Sequence, residues 1–297
     1  MAAHLPRFPL LLLFVVLAVH VPASSHGYPA PPLTTYDASM CPASSRCGNV
    51  SIRYPFYLST TVRDITGYNY NTPYSYSCGY TDLKISCQYE ELKETPVIFL
   101  GGDHKYTVLN ISYESSTIIL ADTDVRFGGS CPAVHHDLSF NNLWLQNTSS
   151  NENLTFYFGC HSLLGVAVPP DLEKYKIDCN LEDPFVGDGA SFVFTPDDHG
   201  KAQEHELDQD GRCSKVVSVP VRSEFLMTSN QPMLARGGYA EVLRYGFELE
   251  WYRTPTDQCD SCEGSRGKCA YSQKREFMGC LCSNGKVGHP DCPTCYI

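Results

Sequence analysis

A mainly β, disulfide-rich fold is what this sequence predicts: two small β modules followed by a cysteine-rich C-terminal segment. Three observations carry the expectation. The chain holds 15 cysteines in 297 residues, a density that reads as disulfides in an oxidising compartment. Short runs of β-branched and aromatic residues recur, bounded by Gly, Asn, Asp or Pro. No long stretch repeats its apolar residues at helical spacing.

The N-terminus sets the compartment. Arg7 precedes an apolar run, Pro9 to Val19, that ends in the small residues Ala23-Ser24-Ser25. This is a signal peptide over residues 1–25, its apolar core too short to span a bilayer. The expected localisation is secreted and extracellular. No later run reaches the roughly 18–20 apolar residues of a membrane helix. The tail Cys292 to Ile297 has no lipid-anchor pattern, so the mature chain is expected to be soluble. Residues 26–40, rich in Pro, Ser and Thr, read as a flexible lead-in.

Strands are then expected at Val50–Tyr54, Val97–Leu100, Tyr106–Tyr113, Thr117–Leu120, Leu154–Phe158 and Gly246–Trp251, each alternating or apolar in the manner of a half-buried or buried strand. Short helices are expected within Pro169–Tyr175 and near Ser223–Met227. The first module spans residues 41–138, the second 150–292, and 293–297 form a tail. Roughly 100–150 residues per domain makes two modules the natural division.

The cysteines form two populations. Eight are widely spaced: Cys41, Cys47, Cys78, Cys87, Cys131, Cys160, Cys179 and Cys213. Six crowd together, Cys259, Cys262, Cys269, Cys280, Cys282 and Cys292, and Cys295 is left over. Beyond Cys259 the chain is too poor in apolar residues to build its own core, so disulfides must hold it. Zinc at Cys259-x-x-Cys262 or Cys292-x-x-Cys295 is the rival reading, disfavoured by secretion. An unpaired Cys295 would allow a covalent dimer.

Four N-glycosylation sequons, at Asn49, Asn110, Asn147 and Asn153, agree with a secreted chain. The balance of 22 basic and 33 acidic residues, net −11, argues against nucleic acid or an anionic membrane as partner. No catalytic signature is present: neither Gly-x-Ser-x-Gly nor His-Glu-x-x-His. Asp122 and Asp124 read as solvated residues rather than a glycosidase pair. Asp208-Gln-Asp-Gly211 resembles part of a calcium loop, but Val217 stands where the bidentate Glu belongs. A non-enzyme with no resident metal or cofactor is expected.

The tyrosine series Tyr68, Tyr70, Tyr74, Tyr76 and Tyr80 is the clearest candidate for ligand contact. Aromatic faces stack on the C–H faces of sugars, and phenols hydrogen-bond their hydroxyls. The competing reading is that alternate tyrosines pack inward from a strand.

Cys41-Pro-x4-Cys47-Gly-Asn-Val-x-Ile-x-Tyr-Pro-Phe56, followed by Cys78-Gly79, Leu83 to Cys87, Tyr106 to Tyr113 and Cys131-Pro132, resembles the galacturonan-binding domain of plant wall-associated receptor kinases. The branch most similar is that of the leaf-rust-resistance-type receptor-like kinases. Leu154 to Cys160, Cys213 to Val221, Gly246 to Trp251 and the cluster from Cys259 to Cys282 resemble the C-terminal domain associated with it. The resemblance departs at Tyr80-Thr-Asp82, where the family has Pro and Phe. Family members continue into a membrane helix and a kinase, whereas this chain ends at Ile297 and shows no kinase signature. The resemblance implies non-catalytic binding of pectin-like wall polysaccharide in the apoplast. For such a polyanion the site needs cations, and Arg pairs with carboxylates through two bonds. Arg53, Arg63 and Lys84 are the candidates beside Tyr68, Tyr70, Tyr74 and Tyr76. Residues 26–160 hold 7 basic against 12 acidic side chains, a net of −5. Binding therefore needs a local patch, a calcium bridge or a neutral glycan. The alternative function is a protein-interaction ectodomain, a decoy or co-receptor that binds a secreted peptide or a partner receptor kinase.

Overall fold

The computed structural model describes residues 33–65, 74–90, 92–127, 129, 132–161, 168–178, 188–227, 234–253 and 257–293. The expected signal peptide, Cys131, Cys179 and Cys295 lie outside them.

In chain order the strands are β1 (Ser45–Cys47), β2 (Val50–Ile52), β3 (Tyr57–Leu58), β4 (Arg63–Ile65), β5 (Tyr74–Cys78), β6 (Lys84–Glu90), β7 (Lys93–Leu100), β8 (His104–Ser112) and β9 (Thr117–Asp122). Then come β10 (Leu145–Asn147), β11 (Asn151–Cys160), β12 (Ala190–Phe194), β13 (Cys213–Arg222), β14 (Phe247–Trp251), β15 (Lys268–Ser272), β16 (Phe277–Leu281) and β17 (Val287–Gly288). The helices are short: α1 (Thr123–Phe127), α2 (His199–Glu204), α3 (Ser223–Met227), α4 (Tyr239–Tyr245) and α5 (Asp257–Gly264). The fold is mainly β and disulfide-rich, as the sequence predicts.

The largest sheet has seven strands in the order β10-β14-β9-β8-β7-β6-β3. All neighbours are antiparallel except β3 and β6. Its strands draw on both segments, because β14 pairs Leu249 with Ile118 of β9. Alternation explains the orientation of β14: Phe247, Leu249 and Trp251 point into the core and Glu248 and Glu250 do not. A second sheet, β17-β16-β15-β5-β4, joins the C-terminal hairpins to the first segment through Ala270 opposite Cys78. A third, β12-β11-β13, has the long central strand β11. From Phe156 to Cys160 every residue of β11 is buried. Phe156 and Phe158 face one apolar cluster and Tyr157 and Cys160 another, so covering both faces removes the polar alternation.

The expected helices at Ser223–Met227 and within Pro169–Tyr175 are present, the latter as a single 3₁₀ turn at Glu173–Tyr175. Helices α4 and α5 carry no comparable sequence signal. In α5 the spacing Cys259-x-x-Cys262 places both sulfurs on one helical face. Residues 33–40 are not a free lead-in. Thr35 bridges to Lys286, the Tyr36 hydroxyl donates to the Cys282 carbonyl at 2.6 Å, and Met40 is fully buried.

All twelve described cysteines are paired: Cys41–Cys78, Cys47–Cys87, Cys160–Cys213, Cys259–Cys269, Cys262–Cys280 and Cys282–Cys292. With Cys259, Cys262 and Cys292 in disulfides, none of the three offers the thiolate that the zinc alternative needs.

The main core is aromatic. Phe56 meets Trp251 edge-on at 4.9 Å, Tyr80 stacks on Trp144 at 5.5 Å, and Trp144 meets Tyr271 at 5.3 Å. Beside this cluster Glu263, its side chain 8% exposed, accepts hydrogen bonds from the hydroxyls of Tyr54 (2.5 Å) and Tyr80 (2.9 Å) and pairs with Arg253 Nε at 2.5 Å.

Two substitutions test this core. A Cβ on Gly267 would collide with the Cys280 sulfur and lie 2.9 Å from those of Cys262 and Cys292. Gly267→Ala is expected to cost about 1–3 kcal/mol by overpacking and to raise the free-thiol titre of secreted protein; an unchanged titre and melting temperature would contradict the packing. Glu263→Ala is expected to cost about 3 kcal/mol in urea denaturation, from two lost charge-assisted hydrogen bonds. A loss no larger than that of Arg253→Ala would show that the phenols do not depend on the carboxylate.

Candidate functional site

Among the sequence-derived candidates, Tyr68 and Tyr70 lie outside the described residues, and of Tyr74 only the backbone, in β5, is described. Tyr76 is a core residue: β5 pairs it with Arg63 on β4 and with Ser272 on β15, and it is 6% exposed. Tyr80 is likewise buried, stacked on Trp144. Burial raises both phenols above the ordinary tyrosine range, and for Tyr80 the Glu263 carboxylate adds to the shift. Tyr76 and Tyr80 thus pack inward, and Tyr76 offers no ring face to a ligand.

The cations separate in the same way. The guanidinium of Arg63 is engaged by the carbonyls of Thr60 (3.0 Å) and Val62 (3.2 Å) and by the Ser39 hydroxyl (3.3 Å). Lys84 is half-buried opposite Tyr57, where β6 pairs with β3. Arg53 is different. It is exposed and its guanidinium sits over the Tyr113 ring, 4.1 Å from the centroid.

The local sequence explains that posture. Gly48 and Asn49 close the β1–β2 hairpin. Gly48 has φ +55°, and a Cβ there would collide with the Glu94 carbonyl, so only glycine fits. Strand alternation turns Cys47, Val50 and Ile52 inward and leaves Arg46 and Ser51 outward as a cross-strand pair. Arg53, two residues beyond Ser51, continues the outward row. The Tyr113 hydroxyl accepts from Arg53 N–H at 2.6 Å, and its single proton faces the chain carbonyls of Arg53 (3.1 Å) and Ser51 (3.3 Å). Tyr113 in turn packs edge-on against Trp251 and Phe56. A core aromatic therefore holds the plane on which Arg53 rests. Tyr113 is the member of this site that sequence reasoning places only in a strand; an aromatic at a strand end carries no signal of its cationic partner.

The crevice beneath this hairpin has room for about one water, roughly 10 Å³. A sugar ring does not fit inside it. An exposed guanidinium with a second arginine on the same hairpin face suits carboxylate recognition by paired N–H donors. In the second segment Lys174, Lys176 and Arg236 border a recess of about 350 Å³. There, Asp198 lies 4.0 Å from Lys174 and Glu173 lies 3.8 Å from Lys176, offsetting the charge.

The remaining motifs resolve as structure. Val217 is buried in the β11–β13 core, so the Asp208–Gly211 turn lacks its last calcium ligand. Asp122 is not solvated as expected: it faces His136 at 3.3 Å, and burial holds its carboxyl above the usual range despite that partner. The sequon asparagines Asn49, Asn110, Asn147 and Asn153 are all exposed. Among the described residues no helix is long and apolar enough to cross a membrane.

Residues 41–122 match the family described as wall-associated receptor kinase galacturonan-binding, and residues 178–285 the one described as wall-associated receptor kinase C-terminal. Two Arabidopsis thaliana proteins illustrate the likeness. Leaf rust 10 disease-resistance locus receptor-like protein kinase-like 1.2 is 27% identical over 247 residues, 83% of this chain and 33% of the relative. The relative numbered 2.2 in the same series is 26% identical over 272 residues, 91% of this chain and 35% of the relative. The chain spans about a third of the length of these curated relatives. No solved structure matches.

The contrast between Tyr76 and Arg53 is testable by stability alone. Tyr76→Ala is expected to cost about 3–5 kcal/mol, as a large buried ring does, and Arg53→Ala less than about 1 kcal/mol, as for exposed charge. Thermal melts that reversed this order would overturn the placement.

Proposed function

We propose that the chain, which matches the galacturonan-binding and C-terminal domains of wall-associated receptor kinases in that order, binds a galacturonan-like wall polysaccharide without catalysis. The match over residues 41–122 to a galacturonan-binding domain carries the reading. It is supported by the outward row of Arg46 and Arg53 on the β1–β2 hairpin. In the proposal Arg53, steadied on Tyr113, pairs with a uronate carboxylate, and Arg46 meets the next one along the polymer. In this reading a local patch, rather than the net charge of −11, meets the polymer. At physiological ionic strength the Debye length is about 8 Å, so remote acidic residues are screened, while Glu94, whose carboxylate accepts from the Gly48 N–H at 3.3 Å, stays beside the two arginines. The chain is secreted to the wall in this reading, consistent with its exposed sequons. Calcium remains a candidate bridge between pectin and nearby acidic side chains, and it is an arm of the test.

The experiment is a pull-down of purified secreted chain on de-esterified pectin, with methyl-esterified pectin and added calcium as parallel arms. Expected are retention on the de-esterified polymer without calcium, loss in high salt, and a drop of about tenfold in affinity for Arg53→Ala, the loss of one charge-assisted pair. Equal retention on the esterified polymer would overturn carboxylate recognition. Retention only with calcium would replace the arginine pair by a cation bridge.

A further inference from the structure

A second recess, of about 400 Å³, opens where the segment after Val134 crosses the third sheet. Its size falls within the roughly 300–1,000 Å³ of ligand pockets. Leu138, Phe140 and Pro220 supply apolar wall, and Asp137 supplies an acceptor edge. Two of its rim residues, Asn147 and Asn153, are sequon asparagines.

Register decides which of the two enters more directly. Asn153 lies opposite Pro220 and Thr155 opposite Ser218 in the β11–β13 ladder. Residues two apart on a strand share a face, so Asn153, Thr155, Ser218 and Pro220 share one side of the sheet. Leu154 and Phe156 point to the other side, into the core. Thr155, the hydroxyl residue of the sequon, lies 3.5 Å from the Ser218 hydroxyl. Pro220 and Ser218 both line the recess. Asn147 instead pairs with Leu249 on β14, a sheet away from Pro220.

The floor is held in place by hydrogen bonds. Asp137 Oδ1 accepts from the Ser218 backbone N–H at 2.6 Å, fixing the crossing segment to β13. The Asn151 amide bridges to Glu248, donating to its carbonyl at 2.6 Å and accepting from its N–H at 2.9 Å. A preformed recess of this kind binds with little ordering cost.

We propose that this recess is the docking site of the chain's own N-glycan on Asn153, whose inner N-acetylglucosamine residues lie against Leu138, Phe140 and Pro220. The apolar face of a pyranose and the acetyl methyl suit those side chains, and sugar hydroxyls suit the Asp137 carboxylate. A covalently attached sugar reaches the recess at high effective concentration, so even weak contacts keep it there. An added consequence is that the recess is closed to free polysaccharide. The inference rests on sequon occupancy and not on pectin binding.

The test uses the full chain secreted from a eukaryotic host that makes high-mannose glycans. Glycopeptide mass spectrometry reads occupancy at each sequon. A time course with an endoglycosidase that cuts within the N-acetylglucosamine core then reads accessibility, on native and urea-unfolded protein. Expected is an occupied Asn153 whose glycan is released about tenfold more slowly than those of Asn49 and Asn110 in the native chain, a protection of about 1.4 kcal/mol, and equally fast after unfolding. Phe140→Ala is expected to abolish most of that protection. The comparison among sites in the unsubstituted chain stands even where the variant misfolds. An empty Asn153, or native release as fast as at Asn49, overturns the proposal. Pectin retention by Asn153→Gln is expected to be unchanged, so failure here and failure of the binding reading are separate results.

Discussion

A buried carboxylate, Glu263, is the polar centre of the junction at which β15 and α5 of the C-terminal segment meet the first segment. It sits on α5 beside Cys262 and meets the hydroxyls of Tyr54 and Tyr80. Arg253, just beyond the end of β14, closes the network. A carboxylate this buried is tolerable only when its oxygens are occupied by donors. Both phenols are pushed well above the ordinary tyrosine range, by burial first and by Glu263 in addition, so both stay protonated and keep donating. The Tyr54 hydroxyl also accepts from the Cys269 backbone N–H at 3.2 Å. Tyr54 and Tyr80, both from the first segment, are therefore fastened to the disulfide knot.

The aromatic core follows from that junction. With Tyr80 anchored through its hydroxyl, its ring stacks on Trp144, and Trp144 meets Tyr271 of β15. Phe56, Trp251 and Tyr113 extend the cluster to the surface at Arg53. The candidate binding surface is consequently the outer end of a chain of contacts that begins in the cysteine-rich segment. The residues matching the galacturonan-binding family, 41–122, do not complete their own sheets. β14 and β10 extend the larger one and β15 flanks β5. This mutual dependence explains how the apolar-poor C-terminal segment reaches a stable fold: each segment covers the other's apolar face, and disulfides limit the unfolded chain.

The separation between sugars also has a physical basis. The hairpin surface offers cations and almost no depth, which suits an extended polyanion. The recess beside Asn153 offers apolar wall and acceptors, which suits a neutral N-acetylhexosamine. Under the two proposals, the fold separates two kinds of carbohydrate contact by charge and shape.

Local chemistry was legible in the sequence. The strands at Val97–Leu100, Tyr106–Tyr113 and Thr117–Leu120 show in their alternation and β-branching, and the helix at Ser223–Met227 in its break from that pattern. The Cys47–Phe56 motif reads as a turn with a buried Phe, because a strand's period and a turn's glycine are properties of adjacent residues. Tyr76 and Arg53 could not be sorted in this way. Tyr76 is 6% exposed and lies beside β15, a strand from far later in the chain whose Ser272 stands opposite it. Arg63 looks as available as Arg53 until the carbonyls of Thr60 and Val62 are found to hold it. Strands, turns and glycan sites are thus written in adjacent residues. Which tyrosines are core, which arginine is presented and which segments share a sheet emerge only in the folded chain, because burial is set by partners distant in sequence.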